Sequence, residues 1–256
     1  MSRLVLQQLD SKPVHHVRVL NARSGGGRET VTVPILRGVV DGLPASVDGL
    51  IIAGDLQGRA PAIDGWMQLS GVSVAEALEG LAEEGEVPPL SRLGVVLTGD
   101  LYSVPDASKR GGFGDVSAVW RAFLERCAWV VGVAGNHDDV SSLPSGAVLL
   151  DGDCATIDGL RIGGVGLVCG HAAKPGRRDE ADQLAAIELV CAEQVDLLVL
   201  HEGPTGARGQ RGHPGIATSV PFIACGHVHW DEPVFVHEGG VVLNVDARVV
   251  VLSAAR

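Results

Sequence analysis

Asp55, Asp100, Asn136, His201, His227 and His229 share a positional feature: each stands where a short apolar run has just broken. Residues 49–53 run into Gly54-Asp55, residues 94–98 into Gly99-Asp100, and residues 129–134 into Gly135-Asn136-His137-Asp138. Residues 195–200 run into His201, and residues 220–225 into Gly226-His227-Val228-His229. In open α/β sheets ligands bind outside the carboxyl ends of the strands, so five segments deliver carboxylate, amide and imidazole to one rim. Hard oxygens mixed with imidazole suit Mn, Fe, Zn or Mg, and one carboxylate between two ions can bridge them. Taken singly, an aspartate after a strand is a turn former or helix cap. The agreement of five segments is what points to a metal site.

The elements that must position these side chains are legible as alternating patterns. The five runs are continuous and rich in Val, Ile and Leu, as expected of strands covered on both faces. Between them lie helical spacings. Ser73 and Glu76 read as a capping box ahead of Leu78 and Leu81, and Asp115 as a cap before Val119, Trp120, Phe123 and Leu124. Asp179 opens a third helix through Leu184, Ile187, Leu189 and Val190. Residues 155–168 read as a hairpin, residues 234–236, 241–245 and 249–252 as short C-terminal strands, and Gly25-Gly26-Gly27 as a turn between two N-terminal strands. The pattern is α/β with antiparallel additions, without an internal repeat or a linker.

Composition removes several classes. Thirty-one acidic against twenty basic side chains give a formal charge of −11 over 256 residues. No general basic surface is available for a nucleic-acid backbone, so no such partner is expected. With 46% hydrophobic residues and no long run of like charge, disorder is excluded too. No stretch approaches the ~20 apolar residues of a membrane span, and the start lacks the apolar region of a signal peptide, so no membrane partner is expected. Five scattered cysteines without a Cys-x-x-Cys pair read as reduced thiols of a cytoplasmic protein.

Together the ordered blocks resemble the calcineurin-like metallophosphoesterases. Gly54-Asp55-Leu56-Gln57, Gly99-Asp100, Gly135-Asn136-His137-Asp138, His201 and Gly226-His227-Val228-His229 follow that family's order and span most of the chain. Gly-Asp alone is nearly worthless as a motif. Gly-His-x-His is rarer, and each further block in order lowers the chance of coincidence.

The resemblance implies a four-layer α/β/β/α sandwich, two mixed β-sheets flanked by helices. It implies two divalent metal ions bridged by Asp100, the first held by Asp55, Gln57 and His229, the second by Asn136, His201 and His227. Mn is the favoured ion, with Fe, Mg, Zn and Ni as further candidates. A hydroxide between the metals would attack the phosphorus of a phosphoester substrate. His137 would act as general acid, Asp138 would orient its ring, and Asn136 and His137 would contact the substrate. Phosphodiester hydrolysis is favoured over phosphomonoester hydrolysis. A scaffold that lost turnover, a nuclease and a protein phosphatase stay open as alternatives.

Three features are particular to this chain. Position 57 is Gln where the family usually has His, a neutral oxygen donor that binds a first metal more loosely. Arg59, just beyond the first block, and Arg208, in the loop after His201, are candidate phosphate contacts, since guanidinium pairs with phosphate oxygens. Residues 1–47 form an N-terminal extension ahead of the first block, expected to add strands to a sheet edge or to supply a dimer contact, within a single domain over 1–256. His15, His16, His171 and His237 are read as structural.

Overall fold

The computed structural model describes residues 4–62, 64–109, 111–216 and 219–255. Strands are, in chain order, β1 (Val5–Leu9), β2 (His15–Ala22), β3 (Arg28–Asp41), β4 (Gly49–Gly54), β5 (Arg59–Pro61), β6 (Met67–Leu69), β7 (Leu93–Leu97), β8 (Gly114–Asp115), β9 (Trp129–Gly132) and β10 (Asp138–Asp139). They continue with β11 (Val148–Leu149), β12 (Asp153–Ile157), β13 (Leu160–Val165), β14 (Val168–Cys169), β15 (Arg177–Arg178), β16 (Leu197–Glu202), β17 (Phe222–Gly226), β18 (Val234–His237), β19 (Gly240–Asn244) and β20 (Arg248–Ala254). Three α-helices accompany them: α1 (Ser70–Glu83), α2 (Ser117–Leu124) and α3 (Glu180–Ala192).

Two large sheets result. The first has the order β11-β9-β7-β4-β20-β3-β2-β5-β6, with β1 also on β3; the second has the order β12-β13-β16-β17-β19-β18. Period-2 alternation sorts their side chains into three apolar layers. Ile51, Val95, Val130 and Val249 pack with Val74, Leu78, Trp120 and Phe123 of α1 and α2. From the same strands, Leu50, Ile52, Val96, Val131 and Val250 face the other way and meet Ile162, Leu197, Val199, Phe222 and Leu243 of the second sheet. Leu198, Leu200, Ile223 and Val242, on that sheet's far face, pack with Ile187 and Val190 of α3. Three cores between four layers make the α/β/β/α sandwich. Among the described residues no helix is long and apolar enough to cross a membrane, and all five cysteines are free thiols.

Local details depart from the sequence expectations in instructive ways. Helix α1 begins at Ser70, so Ser73 lies inside it. Gln68 Nε2 donates to both Ser73 Oγ and Glu76 Oε2 at 2.9 and 2.8 Å, and the capping box does not form. Asp115 accepts from the Ser117 amide at 2.8 Å but stands one residue ahead of the N-cap, Val116, and α2 has no side-chain cap. Asp179 precedes α3, but its carboxylate accepts from Ala172 N instead of the helix. Leu189, assigned to the apolar face of α3, is 68% exposed. The face it should share is completed by Gln183, buried and donating to Gly166 O at 3.0 Å.

The N-terminal strands do more than extend an edge. The 14-residue β3 pairs in parallel with β20 on one side and antiparallel with β2 and β1 on the other. Because β20 in turn pairs with β4, residues 28–41 are the next-but-one neighbour of the strand that carries Asp55. Ile35 and Val40 are fully buried. A chain beginning at residue 48 is therefore expected to lose its cooperative thermal transition. A sharp melt together with retained metal binding in that fragment would show the N-terminal strands to be dispensable.

Candidate metal centre

Strands β4, β7 and β9 run parallel, as do β16, β17 and β19, so their carboxyl ends open on one rim. At that rim three of the sequence-derived residues adopt left-handed backbone: Asp55 (φ 50°), Asp100 (φ 55°) and His227 (φ 69°). Such conformations cost a non-glycine residue of order 1–3 kcal/mol and gather at functional sites. His201 is turned inward at a register shift between Leu200 and Glu202 in the β16–β17 pairing, a bulge of the kind that re-aims a side chain.

The glycines of the motifs have a steric reason. A Cβ at Gly135 would strike the Asp100 amide and Oδ1, and one at Gly226 would strike Asp55 Oδ2. Backbone approaches the two carboxylates so closely at these positions that only hydrogen fits.

Asp100, His201 and His227 bring donor atoms to within 4.8 Å of one another, the spacing that one metal ion spans. Asp100 Oδ1 lies 3.4 Å from His201 Nε2 and accepts the His137 amide at 3.0 Å. Asn136 Oδ1 is 3.2 Å from the same His201 Nε2. The two imidazoles meet at 5.1 Å between ring centroids.

Protonation makes the case for a cation. His201 Nδ1 is 2.8 Å from the Thr98 carbonyl, which can only accept, so Nδ1 carries the ring proton. Burial lowers the pKa of His201 and, less completely enclosed, of His227, so the rings are held neutral. Nε2 of His201 then has a lone pair facing two oxygens with no proton between them. Burial likewise raises Asp100, and burial followed by repulsion from Asp246 and Asp100 raises Asp55 well above the usual carboxylate range. Neutral imidazoles, an amide oxygen and crowded carboxylates form a donor set that a divalent ion fits.

The residues of the first metal position are not gathered in the same way. Asp55 Oδ2 accepts the His227 amide at 2.8 Å. Gln57 Nε2 donates to Asp100 Oδ2 at 3.0 Å, so its amide nitrogen, not its oxygen, faces the carboxylate. His229 is 56% exposed and gives Nδ1 to Asp246 Oδ2 at 2.9 Å.

The surrounding residues divide similarly. Asp138 does not touch the His137 ring: its carboxylate accepts the amides of Leu101, Tyr102 and Gly135 at 2.8, 3.1 and 2.9 Å. It ties two loops together, and burial lifts its pKa to about 6. The expected orienting role belongs to the Gly112 carbonyl, 2.6 Å from His137 Nδ1, which leaves Nε2 turned to the centre, 3.9 Å from Asp100 Oδ2. Arg59 spends Nε and Nη2 on the carbonyls of Ser103 and Val104 and clamps that loop. Arg208 is exposed on the loop after β16. His15 and His16 are exposed on β2.

Sequence reading missed Asp246 and Arg248. Asp246 follows β19, which is parallel to β17, and so obeys the same strand-then-aspartate rule as Asp55 and Asp100. Applied to residues 241–245, that rule finds it. Arg248 had no comparable signal.

The calcineurin-like phosphoesterase family profile matches residues 49–231, and the chain belongs to that family. A solved structure, that of TT1561 from Thermus thermophilus, is similar at a TM-score of 0.52 and 14% identity, over 78% of this chain and 90% of that one. That likeness is one of fold. No curated protein matches the chain. The family is one of metal-dependent phosphoester hydrolysis, and the Asp100–His201–His227 cluster gives this chain a place for a divalent ion.

Gly135→Ala should weaken divalent-ion affinity by roughly 10–100-fold, although it removes no donor atom, because the new methyl displaces Asp100. Calorimetric titration checks this; unchanged affinity would mean that Asp100 does not bind the ion.

Proposed function

We propose that the chain is a metal-dependent phosphodiesterase whose centre is built on Asp100, Asn136, His201 and His227, with Asp55, Gln57 and His229 as donors to a second, looser ion bridged through Asp100. The observation that carries the reading is geometric: His201 Nε2, an Asp100 carboxylate oxygen, the Asn136 amide oxygen and a His227 ring nitrogen converge at one place. Mn is favoured, since the set mixes two imidazoles with oxygen donors; Fe, Zn and Ni share that tolerance, and Mg would rely on the oxygen donors. Bound divalent ions lower the pKa of water and neutralise phosphate oxygens.

The chain's own residues supply the rest. His137 keeps the proton on Nδ1 through Gly112 O, so Nε2 is the atom free to carry a second proton to the departing oxygen. Asn136, adjacent in sequence, comes to the rim on the same loop. Asp138 acts at one remove, by fixing the amides of residues 101, 102 and 135.

A diester is favoured over a monoester on charge. A monoester dianion demands more positive charge than a diester monoanion, and the nearest arginine of the first block, Arg59, is committed to backbone carbonyls. Free thiols throughout fit a reducing compartment.

The test is hydrolysis of bis-p-nitrophenyl phosphate and p-nitrophenyl phosphate after metal stripping and add-back of Mn, Mg, Zn or Ni. Activity is expected only with metal, greater on the diester. Asp100→Ala should abolish it, and His137→Ala should slow it by about 10²–10⁴-fold while Mn stays bound. Mn binding without turnover under any ion would identify a scaffold instead; full activity in Asp100→Ala would contradict the centre itself.

A further inference from the structure

Arg248 opens β20, opposite Gly54 in the β4–β20 pairing, and is buried to 6% exposure. A buried guanidinium needs partners, and this one has an unusual set. Its Nη2 donates to the Trp230 carbonyl at 2.6 Å and its Nε to the Asp246 carbonyl at 3.2 Å. The same Nη2 lies 3.3 Å from His229 Nδ1 and 3.4 Å from His229 Nε2, so the cation rests against the imidazole. Asp246 completes the group by taking His229 Nδ1.

Arg248 also lines a cavity of about 860 Å³, walled by β1 of the N-terminal extension and by the segment after the Gly-His-x-His motif. Asp10, Asp231 and Glu232 are in that wall. Arg248 thus belongs both to the His229 group and to the wall of a cavity that also holds acidic side chains.

We propose that Arg248 is a resident cation that occupies the His229 side of the first metal position, so that the centre holds one ion firmly and takes the second only when the guanidinium turns away from the imidazole toward Asp231 and Glu232. The inference rests on the centre described under Proposed function and adds a positioning residue to it. Charge makes the competition direct: a guanidinium and a divalent ion repel, and both seek the same imidazole and neighbouring carboxylates. Gln57 acts in the same sense, since its amide nitrogen occupies the Asp100 oxygen that a first ion would share. The extension acquires a role too, because β1 forms one wall of the space that receives the displaced side chain.

The experiment is Mn titration of the metal-stripped full chain, followed by calorimetry and by electron paramagnetic resonance, which separates isolated from exchange-coupled Mn. Wild type is expected to bind one ion tightly, with an uncoupled spectrum, and a second at least about tenfold more weakly. Arg248→Met, which keeps the packed stem and removes the charge, should tighten the second ion by roughly 10–100-fold and bring up the coupled signal at two equivalents. Arg248→Lys retains charge without the fork and should give an intermediate value. His229→Ala should lose the weak ion alone. Two ions of equal affinity in wild type would overturn the proposal whether or not the variants fold, as would a weak ion that neither Arg248 substitution moves. No Mn binding at all would take down the metal centre, and the proposal with it.

Discussion

Asp100 carries a carboxylate at the seam between the two sheets, and each of its oxygens is met by a different segment. Oδ1 faces His201 from the second sheet and the His137 amide from the loop after β9; Oδ2 faces Gln57 from the loop after β4. Removing such a charge from water is unfavourable unless it is paired and hydrogen-bonded. The surrounding fold reads as a set of answers to that demand. Gly99 and Gly135 let backbone close on it, the bulge at His201 turns an imidazole towards it, and Asp138 ties down the amides of the loops that flank it. The parallel register of β4, β7 and β9, with that of β16 and β17, brings these loops to one edge.

Much of this was legible beforehand because it follows from periodicity and from the rim rule for α/β sheets. The five apolar runs became β4, β7, β9, β16 and β17, although β16 runs on through His201 to Glu202. The Gly25–Gly27 turn and the hairpin formed by β12 and β13 followed from glycine position and alternation. Other features could not be read because partners distant in sequence decided them. Ser73 and Glu76 satisfy the capping-box spacing, yet Gln68 takes both side chains. Leu189 fits a helical stripe, but the spacing cannot say that Gln183 completes the buried face. Asp138 stands next to His137, which made it a natural orienter; its partners Leu101 and Tyr102 lie far earlier in the chain. Arg248 is a lone basic residue in an apolar strand, and only the fold sets it against His229.

The two halves of the centre differ in how they are prepared. On the side of Asn136, His201 and His227, tautomer, burial and geometry all favour a cation. On the side of Gln57 and His229, the chain's own amide and guanidinium meet the carboxylate and the imidazole. The Gln57 departure and the burial of Arg248 are therefore parts of one arrangement. With fewer positive charges firmly fixed at the rim, the proposed reading takes a singly charged phosphodiester as substrate. The formal charge of −11 sets no obstacle to such a substrate, since in the proposed reading the attraction would come from a bound ion.

Anomalous diffraction at the Mn edge from crystals of the Mn-loaded chain tests the central claim most directly. The strongest peak should lie within coordination distance of Asp100, Asn136, His201 and His227 together. A peak bound by Asp55 and His229 alone, or no peak at the rim, would contradict the account.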